Sequence, residues 1–387
     1  MIDFVFQNPT KIYFGKNALN SLHDEAARWG DRVLLVYGGG SIKRTGIYDQ
    51  VMAQLAGMQV WELGGVQPNP RLSLVREGIA LCREHGIELV LAVGGGSAID
   101  TAKAIANGAC YDGDVWDLFD GKGKNTEVLP LGTVVTIPAA GSEMSDSCVI
   151  TREEDLCKRG RNTPLNFPKF SILNPEFTYT LPPFQTACGA VDIMAHMMER
   201  YFTRVTHVEL IDRMTEGALK TVVNNAPIVM QDPENYDARA EIMWAGCLAH
   251  NTLFQTGRVG DWASHKLEHE LSALYDIAHG AGLAIVFPAW MKYALAHGGE
   301  AKLAQFGRRV FDVPDSGDDA ADAAEGIRRL EAFYRALGLT TTLSENGIGD
   351  TDFGRMAERA VAMAGGTLGQ FVPLKPADCE AIYRLAL

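Results

Sequence analysis

Two short apolar runs that each end in three glycines and a serine constrain this chain more than any other feature. Arg32–Tyr37 runs into Gly38-Gly39-Gly40-Ser41, and Glu88–Val93 runs into Gly94-Gly95-Gly96-Ser97, followed by helix-like Ala98–Asn107. A third run, Val128–Ile137, ends at Pro138–Ser142. Strands apolar throughout are covered on both faces, and their alternation with helical patterns predicts a parallel sheet. Phe4–Phe6 and Lys11–Phe14 read as two more short strands around Asn8-Pro9, Asn17 as the N-cap of a helix through Trp29, and Val60–Leu63 as a further strand.

Such sheets bind ligands beyond the carboxyl ends of their strands. At Gly94–Gly96 the missing side chains let backbone N–H groups approach a phosphate. Ser97 begins the next helix in this reading, and Asp100 three residues on completes a capping box. Neither run is G-x-G-x-x-G, and one glycine turn by itself serves equally as a plain βα corner. Two in one sheet point to a dinucleotide, with pyrophosphate at one turn and ribose at the other. Asn69, between Pro68 and Pro70, presents one polar group from a rigid loop, and Lys158 can reach a phosphate.

From Leu181 onward the strand pattern stops. Leu210–Asn225, Ala238–Leu253, Ala263–Leu274, Gly282–Ala296, Ala301–Phe311, Ala320–Leu337 and Phe353–Met363 all read as helices. A chain of 387 residues exceeds one ordinary core. The expected organisation is an α/β dinucleotide-binding domain with a parallel sheet over residues 1–180, then an all-α metal-binding domain over 181–387. A cleft at that boundary would bring the glycine turns opposite Asp192.

Asp192 and His196 are four apart on a helix without Gly or Pro between them, so they share one face, amid Ile193, Met194, Ala195, Met197 and Met198. A lone Asp–His pair is explained as well by a hydrogen bond inside a core. Three more histidines, His265, His269 and His279, fall within a single stretch of fifteen positions further downstream. Together they suit a metal, Zn²⁺ or Fe²⁺ by ligand type and not Ca²⁺ or Mg²⁺. His265 and His269 share a helix face, and spacing alone leaves open which of the three is not a ligand.

Net charge is −13, which argues against nucleic acid or an anionic membrane as partner. No run of apolar residues reaches a membrane span, no signal peptide is visible at the start, and the seven cysteines show no C-x-x-C pairing. A cytoplasmic, small-molecule enzyme is expected.

Gly38-Gly-Gly-Ser41, Pro68-Asn-Pro70, Gly94-Gly-Gly-Ser-Ala-Ile-Asp100, Gly141-Ser-Glu143, Asp192-x3-His196 and His265-x3-His269-x9-His279-Gly280 together resemble the iron-containing (group III) alcohol dehydrogenase family, over essentially the whole chain. The similarity is greatest to its NADPH-dependent aldehyde reductase and butanol dehydrogenase branch. The resemblance implies a metal, iron or zinc, held by Asp192, His196, His265 and His279, with His269 close to the nicotinamide as the catalytic histidine. It implies cofactor contacts from Gly38, Gly39, Gly40, Ser41, Asn69, Gly95, Gly96, Ser97, Asp100, Thr136, Lys158 and Leu181. It also implies a homodimer. Ala140 departs from the pattern, since many relatives carry Thr there, and any hydrogen bond from that hydroxyl is absent.

An acidic residue after the second strand would bind a ribose 2′-OH and repel a 2′-phosphate. The loop Gly38–Arg44 has a hydroxyl, two cations and no carboxylate, so NADP(H) is expected over NAD(H). Phe184, Phe254 and Trp262 are expected to line an apolar pocket for a primary alcohol or aldehyde. Two same-fold alternatives are glycerol dehydrogenase and dehydroquinate synthase. An inverted zinc peptidase, suggested by His265-x-x-Glu268-His269, leaves both glycine turns without a purpose.

Overall fold

The computed structural model describes all 387 residues, Met1–Leu387, and divides into two compact units. One unit holds residues 7–181 and 246–251; the other holds 1–6, 182–245 and 252–387. Sequence alone could not place the two small exchanges. Met1 and Ile2 belong with the second unit because the Met1 ammonium donates to Thr206 O (2.7 Å) and Ile2 N–H to Gly257 O (3.0 Å).

The first unit is built on eight strands: β1 Lys11–Phe14, β2 Arg32–Gly38, β3 Gln59–Val66, β4 Leu89–Gly94, β5 Leu131–Val135, β6 Ser147–Arg152, β7 Cys157–Asn162 and β8 Phe170–Leu173. Six form one sheet in the order β1-β8-β5-β4-β2-β3, and every pairing is parallel. Each residue of β4, β5 and β8 is buried, as strands covered on both faces must be. The chain runs outward from β2 to β3 and then returns to the other side of β2 with β4. The strand order therefore reverses between β2 and β4, the two strands that end in glycine turns, and Tyr37 pairs with Val93 just before them.

β6 and β7 make a separate antiparallel hairpin that the sequence reading did not contain. It is pinned to the Gly96–Ala109 helix: the buried Lys103 ammonium donates to Ser142 O, Ser145 O and Ser147 O at 2.7, 2.9 and 2.7 Å. Asp100 acts alongside it, accepting from the Ser142 hydroxyl (2.6 Å) and from Val149 N–H (2.9 Å). The expected capping box is thus not formed. Gly95 is the N-cap, and Asp100 holds the hairpin instead.

Two other local expectations fail. Phe4–Phe6 is not a strand, because no neighbouring backbone pairs with it, and its side chains stay exposed (Val5 is 96% exposed). Asn17 makes no side-chain cap, and the segment after it is a 3₁₀ turn, Ala18–Ser21, leading into a six-residue helix.

Glu143 in this unit is fully buried, and burial pushes its carboxyl up to about 7. A carboxyl that binds its proton more tightly folded than unfolded stabilises the fold at low pH. That stability is lost as pH rises from the ordinary 4.5 through about 7. Glu143→Gln is expected to melt a few degrees above wild type at pH 8 and to match it at pH 5. Parallel melting curves across that range would remove Glu143 as the cause.

The second unit is helical, with only an isolated bridge between Leu368 and Leu374. Its helices are Pro183–Tyr201, Glu209–Gln231, Tyr236–Ala249 (whose last turn lies in the first unit), Ala263–Tyr275, His279–Leu295, Glu300–Val310, Asp319–Ala336, Phe353–Met363 and Pro376–Leu385. An aromatic cluster fills the core, with Phe202 5.3 Å from Trp290, 5.6 Å from Phe306 and 5.9 Å from Phe371 between ring centroids. No helix is long and apolar enough to cross a membrane.

Candidate metal centre and glycine turns

Three helices of the second unit converge on one carboxylate. Pro183–Tyr201 carries Asp192 and His196, Ala263–Tyr275 carries His265 and His269, and His279 is the first residue of His279–Leu295. Asp192 Oδ1 lies 4.0 Å from His265 Nε2 and 3.8 Å from His279 Nε2, and one ligand atom from each of the three falls within 4.8 Å of the others. Metal–nitrogen bonds of about 2 Å leave ligand atoms roughly 3–4 Å apart, so the spacing suits one small divalent ion.

His196 stands beside this trio. Its Nδ1 is 3.0 Å from Asp192 Oδ1, yet the proton there is directed to the Asp192 backbone carbonyl, 2.9 Å away. Its ring lies 4.6 Å from that of His265. Since a carbonyl only accepts, Nδ1 carries the proton and Nε2 keeps its lone pair.

Two glutamates that sequence reasoning did not assign fix the other imidazoles. His265 Nδ1–H donates to buried Glu199 Oε1 at 2.8 Å, and His265 N–H donates to the same oxygen at 2.9 Å. His279 Nδ1–H donates to Glu268 Oε2. Each bond sets the tautomer and turns the Nε2 lone pair toward Asp192, the usual role of a carboxylate behind a metal-binding histidine. A faint signal existed: Glu199 and Glu268 each sit three residues after a histidine, His196 and His265. Each serves a histidine further along the chain, His265 and His279, rather than the one it follows.

Burial pushes the Glu199 carboxyl up to about 7, against the pull of the His265 and Trp262 N–H groups. Burial, reinforced by His196 and His279, depresses the His265 imidazole and keeps it neutral. For Asp192 burial opposes ionisation, but His196, His279 and His265 outweigh it and hold the carboxyl below its usual range.

Asp192 Oδ1 and His265 Nε2 are both buried with no hydrogen-bond partner. Buried polar atoms are almost always satisfied, and two orphans 4.0 Å apart with lone pairs facing each other repel. A cation between them removes both penalties. The residues present therefore fit a divalent metal.

His269 does not join the Asp192 group. It falls with Glu268 and His279, one ligand atom of each within 4.8 Å, and its ring is 5.5 Å from that of His279. Trp262, at a left-handed φ of 63°, lays its ring 5.4 Å from His265 and 6.2 Å from His196. Phe254 is buried and Phe184 exposed.

In the first unit the two glycine turns leave bare backbone at the ends of β2 and β4. Cβ atoms on Gly94, Gly95 and Gly96 would lie 2.7–2.9 Å from Ala98, Ile137 and Ala140, so only glycine fits. Gly39 and Gly40 face open space, and Gly40 has φ +90°. Gly95, Gly96 and Ser97 stay half-exposed at the start of a fourteen-residue helix, where free N–H groups and the helix dipole favour an anion. Asn69 (φ 56°) accepts from Lys158 Nζ at 2.9 Å, which brings together two residues 89 apart in sequence. Thr136 N–H donates to Gly94 O (3.0 Å), and Leu181 N–H to Thr178 O (3.1 Å). The Gly38–Arg44 loop has a carboxylate after all: Lys43 Nζ meets Glu62 Oε2 at 2.9 Å, and the hydroxyls of Tyr37 (2.7 Å) and Tyr48 (2.6 Å) donate to the same side chain.

Residues 9–175 match the family description iron-containing alcohol dehydrogenase, and residues 186–387 match the C-terminal region of the same family. The chain is 47% identical to a probable NADH-dependent butanol dehydrogenase of Bacillus subtilis, covering 100% of both. It is 40% identical to the NADPH-dependent aldehyde reductase YqhD of Escherichia coli, covering 90% of each. Among solved structures, an NADH-dependent butanol dehydrogenase A from Thermotoga maritima superposes with a TM-score of 0.95 at 40% identity, over 100% of this chain and 99% of that one.

Proposed function

The chain belongs to the iron-containing alcohol dehydrogenase family and is an oxidoreductase acting on CH–OH groups; from that premise we propose that it interconverts small apolar aldehydes and primary alcohols, with NADP(H) preferred. The observation that carries the metal-dependent reading is the pair of bare buried atoms, Asp192 Oδ1 and His265 Nε2, inside a group of histidines.

Asp192, His196, His265 and His279 hold Fe²⁺ or Zn²⁺ in this reading, with Glu199 and Glu268 orienting two of the imidazoles. When bound, the ion polarises the substrate oxygen and the nicotinamide gives or takes the hydride. Gly38–Ser41, Asn69, Gly95–Ser97, Thr136, Lys158 and Leu181 hold the dinucleotide. Asp100 contributes by fixing the loop at Ser142, since both its oxygens are already engaged. His269, half-buried and outside the Asp192 group, passes the substrate's proton toward solvent. The substrate class, butanal-like aldehydes, follows the relatives' names and the apolar Phe254 and Trp262.

A homodimer is part of the proposal, supported by the exposed apolar Phe4, Val5 and Phe6, which a second copy would cover. A cytoplasmic location is supported by seven unpaired cysteines.

The cofactor preference is the finer statement, and the relatives' names divide on it. Arg44 is exposed, and Ser41 supplies a hydroxyl. Glu62 already occupies Lys43, so a 2′-phosphate must share that cation and the preference is modest. One charge-assisted hydrogen bond contributes about 1.5–3 kcal/mol, and the lower end gives kcat/KM roughly tenfold higher with NADPH than with NADH. Aldehyde-dependent oxidation of each cofactor measures the ratio, and Arg44→Ala is expected to bring it toward unity. A ratio favouring NADH in the wild type would overturn the preference.

A further inference from the structure

We propose that Glu268, His269 and His279 form a second divalent-cation site, weaker than the first and sharing His279 with it, through which excess zinc inhibits the enzyme. The proposal rests on Asp192, His265 and His279 being ligands of the primary ion, and its test separates the two assignments.

One ligand atom from each of the three residues lies within 4.8 Å of the other two. Glu268 and His269 are adjacent in the Ala263–Tyr275 helix, and His279 opens the next helix. Glu268 has 0% exposure, and its oxygens take the Ser272 hydroxyl and His279 Nδ1–H. A carboxylate buried this fully is a strong ligand for a cation that can reach it. His269 and His279 are half-buried, so an ion can reach the group from outside.

His279 is the shared corner. Its ring centroid is 5.4 Å from that of His265 and 5.5 Å from that of His269. Its Nε2 faces Asp192 at 3.8 Å, while its Nδ1 meets Glu268. Imidazole has two nitrogens that can each hold a metal, and here they address different groups. One carboxylate oxygen and two imidazole nitrogens suit Zn²⁺.

Zinc entering at Nδ1 displaces the proton that Nδ1 donates to Glu268, which leaves to solvent, and the two atoms, now in hydrogen-bond contact, must move apart to admit the ion. That competition, and the repulsion between two dications joined by one ring, make the second site the weaker. Filling it also removes His269 from proton transfer, so turnover falls as the site fills.

Calorimetric titration of chelator-stripped, full-length protein with zinc chloride tests this, with turnover followed over the same zinc range. The wild type is expected to bind two equivalents, the second at least about tenfold weaker, with turnover falling as it fills. His269→Asn is expected to bind only the tight equivalent. Asp192→Ala is expected to lose the tight equivalent and keep the weak one. A wild type that binds one zinc up to millimolar concentration overturns the second site, as does a second equivalent that survives His269→Asn. Loss of both equivalents in Asp192→Ala overturns it too, since that describes one composite site. Retention of the tight equivalent in Asp192→Ala would instead sink the primary assignment, whatever His269→Asn shows.

Discussion

Asp192→Ala is expected to lose the tightly bound divalent metal and to reduce aldehydes at least about a thousandfold more slowly than wild type. Asp192 supplies the only carboxylate oxygen in a group whose other members are imidazoles, and both His265 Nε2 and His279 Nε2 are spaced around its Oδ1. Without it no negative charge in that group balances a dication. Lewis-acid polarisation is worth several kcal/mol, and each 1.36 kcal/mol is tenfold in rate, so three decades is a conservative loss. The fold should survive, because Ala suits the middle of the Pro183–Tyr201 helix and the change removes a costly buried charge. A metal-binding protein is stabilised by its ligand through mass action, so one equivalent of metal, enough to fill only the tight site, should raise the wild-type Tm and leave the variant's unchanged. Elemental analysis and a thermal melt with and without metal check both halves. Stoichiometric metal in the variant would show that another residue carries the charge.

Gly280→Ala is the second large effect, and it acts without touching a ligand. A Cβ at Gly280 would sit 2.1 Å from Cys188 O and 2.7 Å from both Cys188 C and Cα. These are backbone atoms of a buried helix and cannot swing aside. Ordinary non-bonded contact begins near 3.5 Å, so the His279–Leu295 helix must retreat by roughly 1 Å. His279 is the preceding residue, and such sites tolerate only about 0.5 Å of misplacement. Overpacking costs about 1–3 kcal/mol of stability. Metal affinity should fall about 10–100-fold, as it does when the groups supporting a ligand are disturbed. Competition with a chromogenic chelator reads the affinity, and a thermal melt reads the stability. Unchanged metal affinity with a lowered Tm would mean that the close approach only packs the helices and does not place His279.

What was legible in the sequence was whatever a short spacing fixes. Asp192 and His196 share a face because four residues make about one helical turn. The parallel sheet follows from apolar runs that end in glycine. What stayed hidden depends on elements meeting across the chain. Glu199 is 66 residues from His265, and only the packing of two helices joins them. Glu268 was visible as one letter of a peptidase-like pattern, yet its partner is His279, beyond the end of its own helix. The Gly38–Arg44 loop read as purely cationic because Glu62, which neutralises Lys43, arrives from the neighbouring strand β3. Asp100 had the right spacing for a capping box, but the Ser142 hydroxyl and Val149 N–H offered its carboxylate tertiary partners instead. Phe4–Phe6 had strand-forming residues and no strand to pair with. At Glu62 and Asp100 a contact distant in sequence overrode the local reading, and at Phe4–Phe6 the distant partner that a strand needs was missing.

The central claim is metal-dependent hydride transfer from a nicotinamide to an aldehyde carbon, and isotope transfer tests it most directly. NADPH deuterated at the transferred C4 position is incubated with butanal and metal-loaded protein, and the butanol is analysed by mass spectrometry. One deuterium per butanol at C1 is expected, with no product above background after chelation and full return on adding Fe²⁺ or Zn²⁺. Labelled butanol formed equally fast by the metal-stripped protein, or butanol formed without the label, would contradict the account.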